Sequence, residues 1–313
     1  MKKYILKAVY FSLPIILFCL IIVAIDPYNL FNISKLIDDE AKYNMTNRSH
    51  EIKSKANMLW KAIEFKRDPC DKVIIGDSQG FHFREKLITD LTGEKIYNFC
   101  VPAASFETTT NIFWFATEQV ELKKVYFQVS FALSNTKFSY NLFEYASDYL
   151  NKPYKYLFSK EILRDSYCNV GYKITENPIW VNDPYFVKPS SEIDSLSESW
   201  ADVIFANYYY PEKYLDELKK IAGYCSQNKI ELEFISMPCY QWVNDYIIDN
   251  GLAANQDKFF EDIQTCGNLH NYSELKNVNS NRNNFYDYFH SNQNIVDSLT
   301  IKIWGKETQA MAN

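Results

Sequence analysis

An apolar run without a single charge opens the chain: AVYFSLPIILFCLIIVAI, 18 residues from Ala8 to Ile25. As a helix it spans roughly 27 Å, close to the thickness of a bilayer's hydrocarbon core. Lys2, Lys3 and Lys7 precede it and mark a cytoplasmic end, so the pattern predicts an anchor with the remaining chain outside the cytoplasm. A cleavable signal peptide is the rival reading. It would have a shorter apolar region and a small residue where Ile25 stands, so the uncleaved anchor is preferred. Polar, turn-rich residues follow to about position 48. Ile52, Ala56, Leu59 and Ile63 then recur on one helical face, with Ser49 placed to cap it.

The rhythm changes at Val73-Ile74-Ile75, a β-branched run of the kind that a parallel strand buried on both faces shows. Gly76-Asp77-Ser78 breaks it, and 79–91 reads as a helix closed by Gly93. A second strand is expected over 95–101, a helix capped by Ser105 after it, and a third strand over 123–131. Residues 133–205 interrupt the pattern with aromatic helical stretches and a Pro- and Ser-rich segment, read as an insertion. An amphipathic helix opened by Pro211, a fourth strand at 230–238, a helix, a fifth strand near 268–275 and a closing loop and helix complete the chain. Strands alternating with helices at crossover spacing predict an α/β fold: three layers around a central, mostly parallel five-stranded sheet, flavodoxin-like in plan. The expected organisation is an anchor at 1–27, a stalk and leading helix at 28–70, and the α/β domain at 71–313.

Composition narrows the partners. The net charge is −6 and no dense Lys/Arg stripe occurs, which sets nucleic acid aside. Seven cysteines include no C-x-x-C and no His at zinc spacing, so neither a metal nor another cofactor is expected. They read as buried thiols or a few disulfides, with no pairing assignable.

The chemistry centres on KVIIGDSQGFHF, residues 72–83. Ser78 stands where the first strand hands over to a helix, at the carboxyl edge where open parallel sheets bind ligands. It reads either as a helix cap or as a nucleophile in reach of free backbone N–H groups. A serine nucleophile needs a base, and FYDYFHSN near the C-terminus offers His290 with Asp287 three residues before it to orient the ring. His82, four residues after Ser78 on the same expected helix face, reads as a rival to His290 as base or, preferred, as a residue that faces substrate or fills the cleft rim. Asp38-Asp39-Glu40 read as a solvated linker.

GDSQ after the first strand and DYFH near the end resemble the first and last sequence blocks of the SGNH (GDSL-type) hydrolase superfamily. The apolar run followed by DPYNLF is similar to the anchored, exported SGNH-like proteins of bacterial envelopes, of the alginate-acetylation and D-alanyl-transfer types, which work beside membrane-bound O-acyltransferases. The resemblance covers about residues 70–300. It implies Ser78 as nucleophile, His290 as base, Asp287 as its partner and the Ser78 N–H as an oxyanion donor. Gln79 and His82 fall on the substrate side. The second block should supply a glycine, and this chain has Ala103 in NFCVPAAS. The third should supply an asparagine, and Asn135 is the one at hand. The expected function is a membrane-anchored extracytoplasmic serine esterase or O-acyltransferase acting on acyl esters of an envelope polysaccharide. The altered middle blocks motivate the alternative, a catalytically inactive binding or scaffold protein of the same fold.

Overall fold

The computed structural model describes residues 2–45, 50–138, 140–177, 190–205 and 207–310. The expected cap at Ser49 and the stretch 178–189 of the insertion lie outside the described residues. In chain order the elements are α1 (Lys2–Ile25), α2 (Asp39–Met45), α3 (His50–Arg67), β1 (Lys72–Ile75), α4 (Glu85–Thr92), β2 (Tyr97–Asn98), α5 (Phe106–Gln119), β3 (Lys124–Val129), α6 (Leu142–Asn151), α7 (Pro153–Leu157), α8 (Lys160–Thr175), α9 (Ser190–Phe205), α10 (Glu212–Asn228), β4 (Glu231–Ser236), α11 (Gln241–Asp249), α12 (Ala253–Gln264), β5 (Asn268–Asn271), α13 (Lys276–Asn279) and α14 (Gln293–Ala310). The chain divides into two compact units, 1–67 with 143–186, and 68–142 with 187–313. The insertion expected at 133–205 is therefore shared between the units, and its middle part belongs with the N-terminal residues.

The larger unit is α/β. Its five strands run parallel in the order β2-β1-β3-β4-β5, one of the two common doubly wound orders. Strand alternation sorts the buried side chains to two faces. Ile74, Tyr126 and Ile235 join Ile88, Val296, Leu299, Ile303 and Trp304 in a core on the face that α4 and α14 cover. Val73, Ile75, Val125, Phe127 and Phe234 are buried on the other face, where α5 packs on β1, α10 on β4 and α12 on β5. The expected strands are all present; β1 matches its apolar run with Lys72 added, and the other four are shorter than expected. β2 keeps two residues of the expected seven as regular strand, although the Phe99 and Val101 N–H groups still donate to the Ile74 and Gly76 carbonyls at 2.7 and 3.1 Å before Pro102 ends the run.

The smaller unit corrects the picture of a stalk. Asp26 is fully buried, and its carboxylate accepts the N–H groups of Leu30, Phe31 and Asn32 at 2.7–2.9 Å. The Tyr156 hydroxyl donates to it at 2.9 Å and accepts the Tyr28 N–H at 3.1 Å. Tyr28 donates its own hydroxyl to Asp165 at 2.6 Å. Lys42 is buried as well and donates to Asn29 at 2.7 Å; burial lowers its pKa. DPYNLF is thus a folded knot with its carboxylate, phenol and amide groups paired. Asp38, Asp39 and Glu40 are all exposed, as a solvated segment would have them, but Asp38 accepts the Ala41 N–H at 2.7 Å at the start of α2 and Asp39 pairs with Lys35 and Asn29. α1 spans 24 residues with Pro14 inside. The side chains at 2, 5, 6 and 8 lie outside the described residues, and no helix among the described residues is long and apolar enough to cross a membrane.

Candidate active site

Ser78 follows β1 in a turn, and the helix expected to start beside it begins at Glu85. The positive end of a helix therefore does not lie directly behind the hydroxyl, and its surroundings are set by turn geometry. Two features force the chain through that turn. Asn98, the last residue of β2, is 3% exposed, and its amide nitrogen lies 2.9–3.2 Å from the carbonyls of Gly80, Phe81 and Phe83. A Cβ on Gly80 would meet the sulfur of Cys100, just past β2, at 2.6 Å, so a larger residue there would force the buried Cys100 side chain to shift.

The C-terminal loop brings the second half of the site. The His290 Nε2 lies 2.7 Å from Ser78 Oγ, across 212 positions of sequence. Its Nδ1 lies 2.7 and 2.8 Å from the two Asp287 oxygens. Asp287 is itself fixed, because its Oδ1 accepts the N–H groups of Phe289 at 2.8 Å and His290 at 2.9 Å. That closes an Asx-type turn, and the three-residue spacing is what lets one carboxylate hold both the loop and the ring. Burial works to raise the Asp287 pKa. The charge and hydrogen bond of His290, with the two backbone N–H groups, outweigh it and hold the carboxyl below its ordinary value. Hydroxyl, imidazole and carboxylate are brought together with the spacing of a proton relay.

A buried polar layer lies beneath them. Gln128, on β3, accepts the Asp77 N–H at 2.8 Å through Oε1 and donates to Gln79 Oε1 at 3.3 Å. Gln79 donates to the Phe289 carbonyl at 3.0 Å and also meets the Cys239 sulfur at 3.2 Å. Gln79 is 7% exposed, so its side chain ties the Ser78 turn to the His290 loop rather than facing a substrate. A Cβ on Gly76 would run into Gln128, which explains the glycine before Asp77.

Asp77 is buried, and burial pushes its carboxyl up to about 6, against the Gln79 N–H, the His290 charge and the Gln128 amide. Between about pH 4 and 6 the folded state therefore holds more protons than the unfolded one, and stability falls as pH rises through that window. Asp77→Asn keeps an oxygen for the Gln79 N–H and removes the buried charge. Its urea midpoint should exceed the native one at pH 7.5 by the equivalent of about 2–3 kcal/mol, with the gap closing near pH 4. A gap that is the same at both pH values would contradict this.

The loop after β2 carries Ala103. The Ala104 N–H donates to the Val101 carbonyl at 3.1 Å, with Pro102 and Ala103 between them. Ala103 has φ 59, so Val101–Ala104 is a type II turn with alanine where glycine is usual. The left-handed conformation costs alanine about 1 kcal/mol. Neither the Ala103 nor the Ser78 N–H donates to a group among the described residues.

The other expected residues lie apart from the relay. Asn135 is buried, donates to the Ile204 carbonyl at 2.8 Å and accepts the N–H groups of Lys137 and Tyr209. Its amide is spent on holding the chain around α9. His82 packs its ring 5.8 Å from that of Tyr286 at the rim. The sequence reading missed Asn98 and Gln128, although each is a polar residue inside an apolar strand, and that contrast was the available signal. All seven cysteines are free thiols. Burial pushes Cys239, whose sulfur meets Gln79 and the Phe289 carbonyl, up to about 12, so it is a poor nucleophile at neutral pH. Among the described residues no group of three or more His, Cys, Asp or Glu is arranged to hold a metal ion. No family model matches the chain, and no curated protein matches it.

Proposed function

We propose that this chain is a serine-dependent acyl ester hydrolase or O-acyltransferase of the SGNH type. It would be anchored by α1 and act outside the cytoplasm on acyl esters of an envelope polysaccharide. The observation that carries the reading is the 2.7 Å contact between Ser78 Oγ and His290 Nε2, with Asp287 at 2.7 Å on the far side of the ring. The strand order and the position of Ser78 after β1 support the same family reading. For the anchor, the support is an uncharged run from Ala8 to Ile25 inside a 24-residue helix, whose Phe11, Leu17, Leu20 and Ile21 side chains are exposed. Partners implied by this reading are the polysaccharide, an acyl donor and a membrane-bound O-acyltransferase.

The chemistry follows from the geometry. As Ser78 Oγ bonds to the acyl carbonyl carbon, its proton passes to His290 Nε2, and Asp287 stabilises the imidazolium. The carbonyl oxygen becomes an anion, and the open N–H groups of Ser78 and Ala103 are the donors available to it. The C–O bond to the leaving alcohol breaks as His290 returns the proton to that oxygen. Water or a sugar hydroxyl then attacks the acyl-serine with His290 again as base, giving hydrolysis or transfer. A fluorophosphonate probe tests the reading. Incubated with the full chain in detergent, it should form a covalent adduct that maps to the peptide containing Ser78. A native chain that neither labels nor cleaves an activated acetyl ester would point to the inactive scaffold instead.

A further inference from the structure

The loop after β3 is where an asparagine is expected to reach the oxyanion, and Asn135 does not do so. The same loop carries Tyr140 five residues on, and Tyr140 donates its hydroxyl to the carbonyl of Ala103. Its main chain is pinned from the other side. Its carbonyl accepts hydrogen bonds from Ser105 Oγ and, at 3.0 Å, from Thr108 Oγ1, and Thr108 Oγ1 in turn accepts the Leu142 N–H at 3.0 Å. Ser105 and Thr108 belong to the cap and first turn of α5, which the Ala103 turn feeds directly. Tyr140 is thus tied at both ends to the segment that presents the Ala103 N–H.

We infer that the Tyr140 hydroxyl is the side-chain donor to the oxyanion in this chain, in the role that Asn135 leaves empty. This rests on the Ser78 reading above. Three observations converge on it. The hydroxyl sits on the same residue whose N–H is open. Tyr140 remains 40% exposed, open to a ligand from solvent. Burial, and then the Asp77 carboxylate, push the phenol up to about 12, so it keeps its proton at working pH. In the free protein the hydroxyl donates to a neutral carbonyl. A developing oxyanion is the stronger acceptor, and rotation of the O–H bond with a small ring movement transfers the hydrogen bond as the tetrahedral intermediate forms.

Tyr140→Phe in the full chain keeps the ring and deletes the donor. With p-nitrophenyl acetate, kcat should fall roughly a hundredfold while KM changes less than twofold, the pattern for a contact made in the transition state. Fluorophosphonate labelling of Ser78 should slow in parallel, and the melting temperature should stay within a few degrees. Asn135→Ala should instead lower the melting temperature, since its bonds are structural. Turnover by Tyr140→Phe within twofold of native overturns the inference and leaves the Ser78 reading intact. A native chain no faster than Ser78→Ala removes both.

Discussion

Ser78→Ala should lower ester turnover by a factor on the order of 10^4–10^6 and abolish fluorophosphonate labelling. The size of the effect follows from what is left behind. With the hydroxyl gone, His290 has no proton to take at that position and no acyl-enzyme forms. The N–H groups of Ser78 and Ala103 remain and can still polarise a bound carbonyl, so a residual rate above water is expected. The substitution removes a single contact, the one to His290, and the turn is held by Asn98 and Gly80, so melting should change little. Replacing Cys239 by alanine serves as the control, because its thiol meets the same loop at Phe289 and should not carry the label. Labelling that persists in Ser78→Ala and disappears with Cys239 would reverse the assignment.

The second large effect is expected from Asp287→Asn, about 10^4 in kcat, although the change is nearly isosteric. The reason lies in the loop. Oδ1 of residue 287 accepts two backbone N–H groups, from Phe289 and His290, and an asparagine amide nitrogen cannot replace it there. The asparagine oxygen is therefore held at that place, and its NH2 falls where Oδ2 stood, 2.7 Å from His290 Nδ1. A donor facing Nδ1 requires that nitrogen to be bare, which puts the ring proton on Nε2, toward Ser78. An imidazole in that tautomer has no lone pair for the serine proton. Rates across pH 5–9, with ring proton positions from nitrogen-15 NMR, would check this. Full activity with the proton on Nδ1 would sink it.

The sheet was legible because buried parallel strands leave uniform apolar runs. Val73-Ile74-Ile75 and the stretch around Phe127 stand out from their surroundings without any alignment. The relay was legible for a different reason. The Asp287–His290 spacing is local and carries its own turn geometry, so only the long closure to Ser78 had to be supplied by the fold. What could not be read is the start of α4. The turn 78–82 depends on Asn98 and Cys100, and nothing local in GFHF distinguishes a first helical turn from this one. Asn135 was a reasonable expectation by position, but which loop residue points inward is decided by Ile204, Lys137 and Tyr209. The N-terminal segment misled for a simple physical cause. Polar residues rich in turn formers look solvated until their partners, here Tyr156 and Asp165, arrive from far along the chain.

The buried Asp26 has a practical consequence for anyone making a truncated form. Cutting just past the apolar run, near residue 30, looks harmless on a hydropathy plot. It would delete the carboxylate that satisfies three successive backbone donors, and leave the Tyr156 hydroxyl facing an empty socket. A shortened protein that begins a few residues before Asp26 retains that plug, at the cost of carrying some of the greasy segment into solution.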